Sequence, residues 1–117
     1  MHILLIEDDP ARIKLFSRTW GINHTLDVCS DPNTVKFNAD KYDLIFLDFD
    51  LNEEHTVNSL NLVPLLRKLP KCPIVIHSLN PEGAELLKKN LQDLFVIYKE
   101  PFVWTRLPSE LLAKIFP

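Results

Sequence analysis

Short apolar runs recur along the chain, and most stop at a charged or polar residue. Ile3-Leu4-Leu5-Ile6 ends in Glu7-Asp8-Asp9, and Leu44-Ile45-Phe46-Leu47 lies between Asp43 and Asp48. Ile74-Val75-Ile76 ends in His77-Ser78, and Leu94 to Tyr98 ends at Lys99. Runs without alternation fit strands covered on both faces, as in a parallel sheet flanked by helices. Thr25-Leu26-Asp27-Val28-Cys29 alternates instead and predicts a strand towards an edge.

The segments between these runs carry helix signals. Asp9-Pro10 reads as an N-cap followed by proline at the first helical position, and Ile13, Phe16 and Trp20 then recur at helical spacing up to Gly21. Asp31-Pro32 and Asn80-Pro81 repeat the signal and predict helices to about Ala39 and Leu91. Leu60, Val63 and Leu66 predict a helix within Val57 to Leu69, where Pro64 imposes a kink or a late start. Asp50 to His55 is polar and reads as a loop, as does Lys99 to Phe102. Leu107-Pro108 opens a last helix through Ile115, with Leu111, Leu112 and Ile115 on its apolar side.

Five alternations of strand and helix, with no linker or repeat, predict one α/β domain over residues 1–117. The expected architecture is a doubly wound, five-stranded parallel sheet in three layers with right-handed crossovers. A strand order of 2-1-3-4-5 sets the first and third strands side by side at the switch point, outside whose carboxyl ends ligands bind. A carboxylate is costly inside a core, so Asp48 belongs where its strand ends, and Glu7 and Asp8 meet it at that rim.

Composition excludes several function classes. The chain has 117 residues, 46% hydrophobic and 25% charged, as expected of a globular domain. A net charge of −3 provides no basic face for long nucleic acid. No apolar stretch approaches the roughly 20 residues of a membrane span. With 2 glycines, Gly-rich phosphate loops are absent. Cys29 and Cys72 make no disulfide framework and nothing at the N-terminus resembles a signal peptide, so a cytoplasmic protein with reduced thiols is expected.

Acids gathered on one rim repel each other unless a cation sits among them. Carboxylate oxygens suit Mg²⁺ or another hard divalent ion, which would also join a phosphate to an acidic pocket. Asp9 reads as a helix cap, whereas Asp8 and Asp48 together read as metal ligands. Ser78 can bond a phosphate oxygen, and the helix start from Asn80 to Gly83 offers backbone N–H groups. Lys99 can neutralise phosphate charge, although a solvated surface group is the plain alternative for both Ser78 and Lys99. Strand alternation turns His77 and Ser78 to opposite faces, which packs His77 under a helix if Ser78 faces the site. If the strand end twists out, both line the rim and His77 becomes a general acid or base.

These residues carry a family resemblance. Ile3 to Pro10, ILLIEDDP, resembles the first strand and acidic cluster of response-regulator receiver domains. Tyr42 to Leu51, YDLIFLDFDL, resembles the strand carrying their phosphoacceptor aspartate. The resemblance implies a flavodoxin-like receiver fold, Glu7 and Asp8 as the metal-binding acidic pair and Asp48 as phosphoacceptor. It further implies Asp50 at the metal through its carbonyl, Ser78 as the switch hydroxyl and Lys99 as the lysine of the Lys-Pro pair. Glu100 separates Lys99 from Pro101, and Asn52 stands where receivers usually carry proline. His77 to Ala84, HSLNPEGA, resembles the HSxNPxGA motif of a receiver-related family predicted to process cyclic phosphates on nucleotides. That resemblance implies His77 as a site residue. Asp48-Phe49-Asp50-Leu51 resembles the same family's paired-aspartate strand end, with Phe49 where a histidine is common and Thr56-Val57 where Thr-Gly is expected.

Three functional readings follow. The first is a metal-dependent cyclic phosphodiesterase or phosphohydrolase acting on a nucleotide or RNA end. Asp48, His77, Ser78 and Lys99 would be catalytic, Ser78, Asn80, Gly83 and Lys99 would hold phosphate, and Glu7, Asp8, Asp48 and Asp50 the metal. The second is a stand-alone phosphorelay receiver phosphorylated on Asp48 by a phosphodonor protein. The third is a degenerate receiver that only binds a partner or a small phosphate-bearing ligand. HSLNPEGA places the first slightly ahead. Phe102, Trp104 and Phe116 supply apolar surface through which two copies could pair as a homodimer.

Overall fold

A computed structural model describes residues 1–31, 37, 39–52, 56–105 and 108–116. Five parallel strands form one sheet: β1 His2–Ile6, β2 Thr25–Cys29, β3 Leu44–Leu47, β4 Ile74–Ile76 and β5 Ile97–Lys99. Their order is β2-β1-β3-β4-β5, as the alternation of strands and helices predicts. The described helices are α1 Pro10–Trp20, α2 Val63–Leu66, α3 Pro81–Leu91 and α4 Pro108–Ile115. The helix expected after Asp31-Pro32 lies mostly outside the described residues, as does His55.

The strands divide the core by parity. Ile3, Leu5, Leu44, Phe46 and Val75 pack on one side with Phe16 and Trp20 of α1 and Leu111 and Ile115 of α4. Leu4, Ile6, Ile45, Leu47, Ile74 and Ile76 pack on the other with Leu66 of α2 and Leu87 and Leu91 of α3. Complete burial of β1 and β3 beyond His2 explains why their apolar runs show no alternation. Removing a large side chain such as Trp20 or Phe46, both at 0% exposure, should cost about 3–5 kcal/mol.

Local chemistry sets the helix starts. The Asp9 carboxylate accepts the Ala11 N–H at 2.9 Å, with Pro10 at the first position of α1. The Asn80 amide oxygen accepts the Gly83 N–H at 3.0 Å, with Pro81 opening α3. Pro64 produces a late start: a 3₁₀ turn over Ser59–Leu62 precedes α2, in whose first turn the missing N–H costs nothing.

Two elements depart from expectation. Leu94 and Phe95 do not begin β5; their N–H groups bond the Leu91 carbonyl and close α3, while Phe95 fills the core. The strand therefore starts at Ile97 and Lys99 is its last residue rather than part of the following loop. Gly21 ends α1 at φ −75°, outside the left-handed region, and its value there is space: a Cβ would lie 2.6 Å from the Ser17 carbonyl oxygen.

Candidate functional site

The register carries four titratable residues to the same level. Ile6 pairs with Leu47, Leu47 with Ile76 and Ile76 with Lys99, so Glu7, Asp48, His77 and Glu100 each stand one residue beyond the last pair. The N–H groups of Asp48, His77 and Glu100 still bond the neighbouring strands, to Ile6, Leu47 and Ile76 carbonyls at 3.0–3.1 Å. Alternation thus continues past the strand ends and turns all four towards α1 and α4. They are buried, at 0%, 3%, 0% and 8% exposure. The Glu100 carboxylate forms an ion pair with Lys114 of α4.

Glu7, Asp48 and His77 present ligand atoms within 4.8 Å of one another. His77 Nε2 is 3.3 Å from Glu7 Oε1, yet neither ring nitrogen has a hydrogen-bond partner among the described residues. Phe16 and Trp104 meet the imidazole edge-on at centroid distances of 5.0 and 6.2 Å. Glu7 Oε2 accepts the Asp8 and Asp9 N–H groups at 3.0 and 3.4 Å, and Asp48 Oδ1 accepts the Phe49 N–H at 2.8 Å. Arg12 closes the group. Its Nη1 lies 3.4 Å from Glu7 Oε1 and 3.5 Å from Asp48 Oδ2, its Nε 3.3 Å from Asp9, and its guanidinium 5.4 Å from the Trp104 ring centre.

Burial dominates the protonation equilibria. It pushes the Asp48 carboxyl up to about 7 against the pull of nearby His77, and Glu7 adds to the rise by repulsion. Burial raises Glu7 as well, and Arg12 opposes it. The His77 imidazole is driven down to about 4 by burial and is neutral near pH 7. The Cys72 thiol is held up at about 12, also by burial, so it is no nucleophile at neutral pH.

An open cavity of about 700 Å³ lies against Asp48. Its lining includes Asp8, Asp48, Asp50, Arg12, Ser78 and Asn80. Asp8 and Asp48 therefore share one cleft, as the strand order requires, and the carboxylates of Asp8, Asp9, Asp48 and Asp50 in its lining are hard oxygen donors of the kind Mg²⁺ takes. Ser78 Oγ accepts the Asn80 N–H at 3.1 Å, which leaves the hydroxyl proton to donate.

Three of the expected site residues, His77, Lys99 and Gly83, are not in the cavity lining. Alternation packs His77 on the α1 side, as the period-2 argument required. Lys99, one residue short of the titratable row, faces the other way and its ammonium pairs with Glu85 of α3. The Gly83 N–H is already bonded to Asn80, and what the glycine provides is room: a Cβ would stand 2.4 Å from the Phe49 ring. The cation beside Asp48 is instead Arg12, which sequence reasoning missed. A signal existed, since Arg12 lies four residues before the core residue Phe16 and so on the inward stripe of α1.

No family model matches the chain, and no curated protein matches it. Solved structures do. The response regulator TrrA of Thermotoga maritima, in complex with Mg(2+)-BeF, aligns at a TM-score of 0.64 and 20% identity over 98% of each chain. The BeF3-activated N-terminal receiver domain of Klebsiella pneumoniae RstA aligns at 0.57 and 15%, over 97% of this chain and 94% of that one. The phosphorylated cyanobacterial phytochrome response regulator RcpA aligns at 0.53 and 22%, over 97% and 87%. The fold is that of the receiver domain.

Proposed function

We propose that the chain is a receiver-type phosphoacceptor domain in which Asp48 takes a phosphoryl group from a phosphodonor protein or a small acyl phosphate. One observation carries the reading: Asp48 stands directly beyond β3 on a cavity whose lining also includes Asp8, Asp50 and Ser78. In the step, an Asp48 carboxylate oxygen forms a bond to phosphorus while the donor's bond to phosphorus breaks. The bonding pair leaves with the donor, as a carboxylate where the donor is a small acyl phosphate, and an acyl phosphate remains on Asp48. Asp8, Asp48 and Asp50 would hold a hard divalent ion, which supplies neutralisation of phosphoryl charge. Ser78 donates its hydroxyl to a phosphoryl oxygen, and Arg12, also on the cavity lining, faces the Asp48 carboxylate.

Incubation with acetyl phosphate and Mg²⁺ tests the reading. One labile phosphoryl group per chain by intact mass, abolished in Asp48→Ala, is the expected result. An unchanged mass in the wild type overturns it.

Processing of a cyclic phosphate is the second reading, supported by Ser78 and Asn80 of HSLNPEGA on the cavity wall. Against it stands His77, whose burial between Phe16 and Trp104 leaves it no path to a substrate in that cavity. A panel of 2′,3′-cyclic nucleotides should therefore show no turnover. Turnover that disappears in His77→Ala would restore the enzyme reading.

A further inference from the structure

We propose that Glu7, Asp48 and His77 form a mixed carboxylate–imidazole site for a borderline divalent ion such as Mn²⁺, Fe²⁺, Co²⁺ or Zn²⁺, which binds there in preference to Mg²⁺. The inference rests on the reading above only in placing a divalent ion at Asp48.

Carboxylates alone would not carry it. The independent observation is His77, fully buried, with both ring nitrogens lacking a hydrogen-bond partner among the described residues and Nε2 facing Glu7. A histidine serving only as packing between Phe16 and Trp104 gains nothing from two buried polar atoms. The neutral imidazole is the form that ligates.

The geometry suits a small ion. Ligands at about 2.0–2.2 Å from one metal stand about 3–4 Å apart, and the Nε2 to Oε1 separation is 3.3 Å. The full set lies within 4.8 Å, so a pair at that limit must close by about 1 Å when an ion enters.

Arg12 now supplies the positive charge, but loosely. Its Nη1 is 3.4 and 3.5 Å from the two carboxylates, where a tight charge-assisted bond is about 2.7–2.9 Å. Its side chain is 29% exposed, so it can swing outward when an ion enters. The donor set decides selectivity. Imidazole nitrogen suits transition ions, whereas Mg²⁺ prefers oxygen and keeps its waters.

Metal-stripped protein titrated with Mg²⁺, Mn²⁺, Co²⁺ and Zn²⁺ tests this. His2, His24 and His55 are first changed to Gln, so that His77 is the sole imidazole. Co²⁺ and Zn²⁺ should bind at least about 100-fold more tightly than Mg²⁺. The Mn²⁺-loaded protein should show imidazole nitrogen coupling in pulsed electron paramagnetic resonance. His77→Gln in that background should lower Co²⁺ and Zn²⁺ affinity about 100-fold, leave Mg²⁺ unchanged and abolish the coupling. The coupling needs only a folded protein that keeps His77, so a misfolded His77 variant would not obscure the answer. Zn²⁺ binding no tighter than Mg²⁺, or Mn²⁺ binding without nitrogen coupling, overturns the inference and leaves the phosphoacceptor reading intact. If no divalent ion binds, both fall.

Discussion

His77 and Ser78 adjoin in sequence and differ in almost everything else. His77 is packed between Phe16 and Trp104 with both nitrogens lacking a hydrogen-bond partner among the described residues, whereas Ser78 bonds the Asn80 N–H and lines an open cavity. Asp48 takes part in both regions: it borders the cavity, and its Oδ2 is shared with Arg12 in the buried group. One end of one sheet thus carries a wet acidic rim and a dry acid–imidazole cluster. The contrast teaches that β alternation persists beyond the last paired residue, and that the face a side chain takes separates the two neighbours, since both are buried, at 0% and 5% exposure.

The largest effect should come from the charge on Asp48 in metal-free protein. Folding raises this carboxyl from 3.8 to about 7, so the fold favours its protonated form. The associated stability is complete below pH 3.8 and is lost as pH rises through 7. His77, lowered to about 4, gives the opposite slope: its contribution is complete above 6.5 and lost as pH falls through 4. Asp48→Asn does not titrate, so it should be more stable than wild type at pH 8 by on the order of 3 kcal/mol, and nearly equal at pH 4. Urea unfolding at both pH values measures the difference, and equal offsets would dissolve the dry cluster. A bound divalent ion should shrink the pH 8 advantage.

Arg12→Ala comes next. It leaves Glu7 and Asp48 buried without their cation and should cost about 3 kcal/mol at pH 8, less at pH 5 where the Asp48 carboxyl takes up a proton. A loss independent of pH would mean that Arg12 acts through packing on Trp104 instead.

Gly83→Ala tests the wall between α3 and β3. The new methyl would collide with Phe49 and should cost about 2 kcal/mol. Phe49→Leu should recover part of that loss in a double-mutant cycle, and purely additive costs would count against the contact.

The smallest effects separate the two neighbours most directly. His77→Phe removes two unbonded nitrogens from an aromatic pocket and should change metal-free stability by no more than about 1 kcal/mol, in the stabilising direction. Ser78→Ala should cost about 0.5–1 kcal/mol, for the bond to Asn80. The reverse ordering would mean that His77 has partners the contrast denies it.

The amino-acid sequence by itself determined the strands of the inner sheet, the capped starts of α1 and α3, the strand order and the place of Asp48 at the rim. Those features are local and periodic: apolar runs, Asp-Pro and Asn-Pro steps, and parity. Alternation also put His77 on the helix-packed face, where Phe16 meets it. Only tertiary structure decided which cation meets Asp48. Arg12 lies 36 residues away in sequence, and Lys99, expected to neutralise phosphate charge, turns to Glu85 because its register position sits on the opposite face. Tertiary structure also left the buried His77 nitrogens without a hydrogen-bond partner among the described residues, since hydrogen-bond satisfaction depends on what the fold brings near a group and not on the residues beside it in the chain.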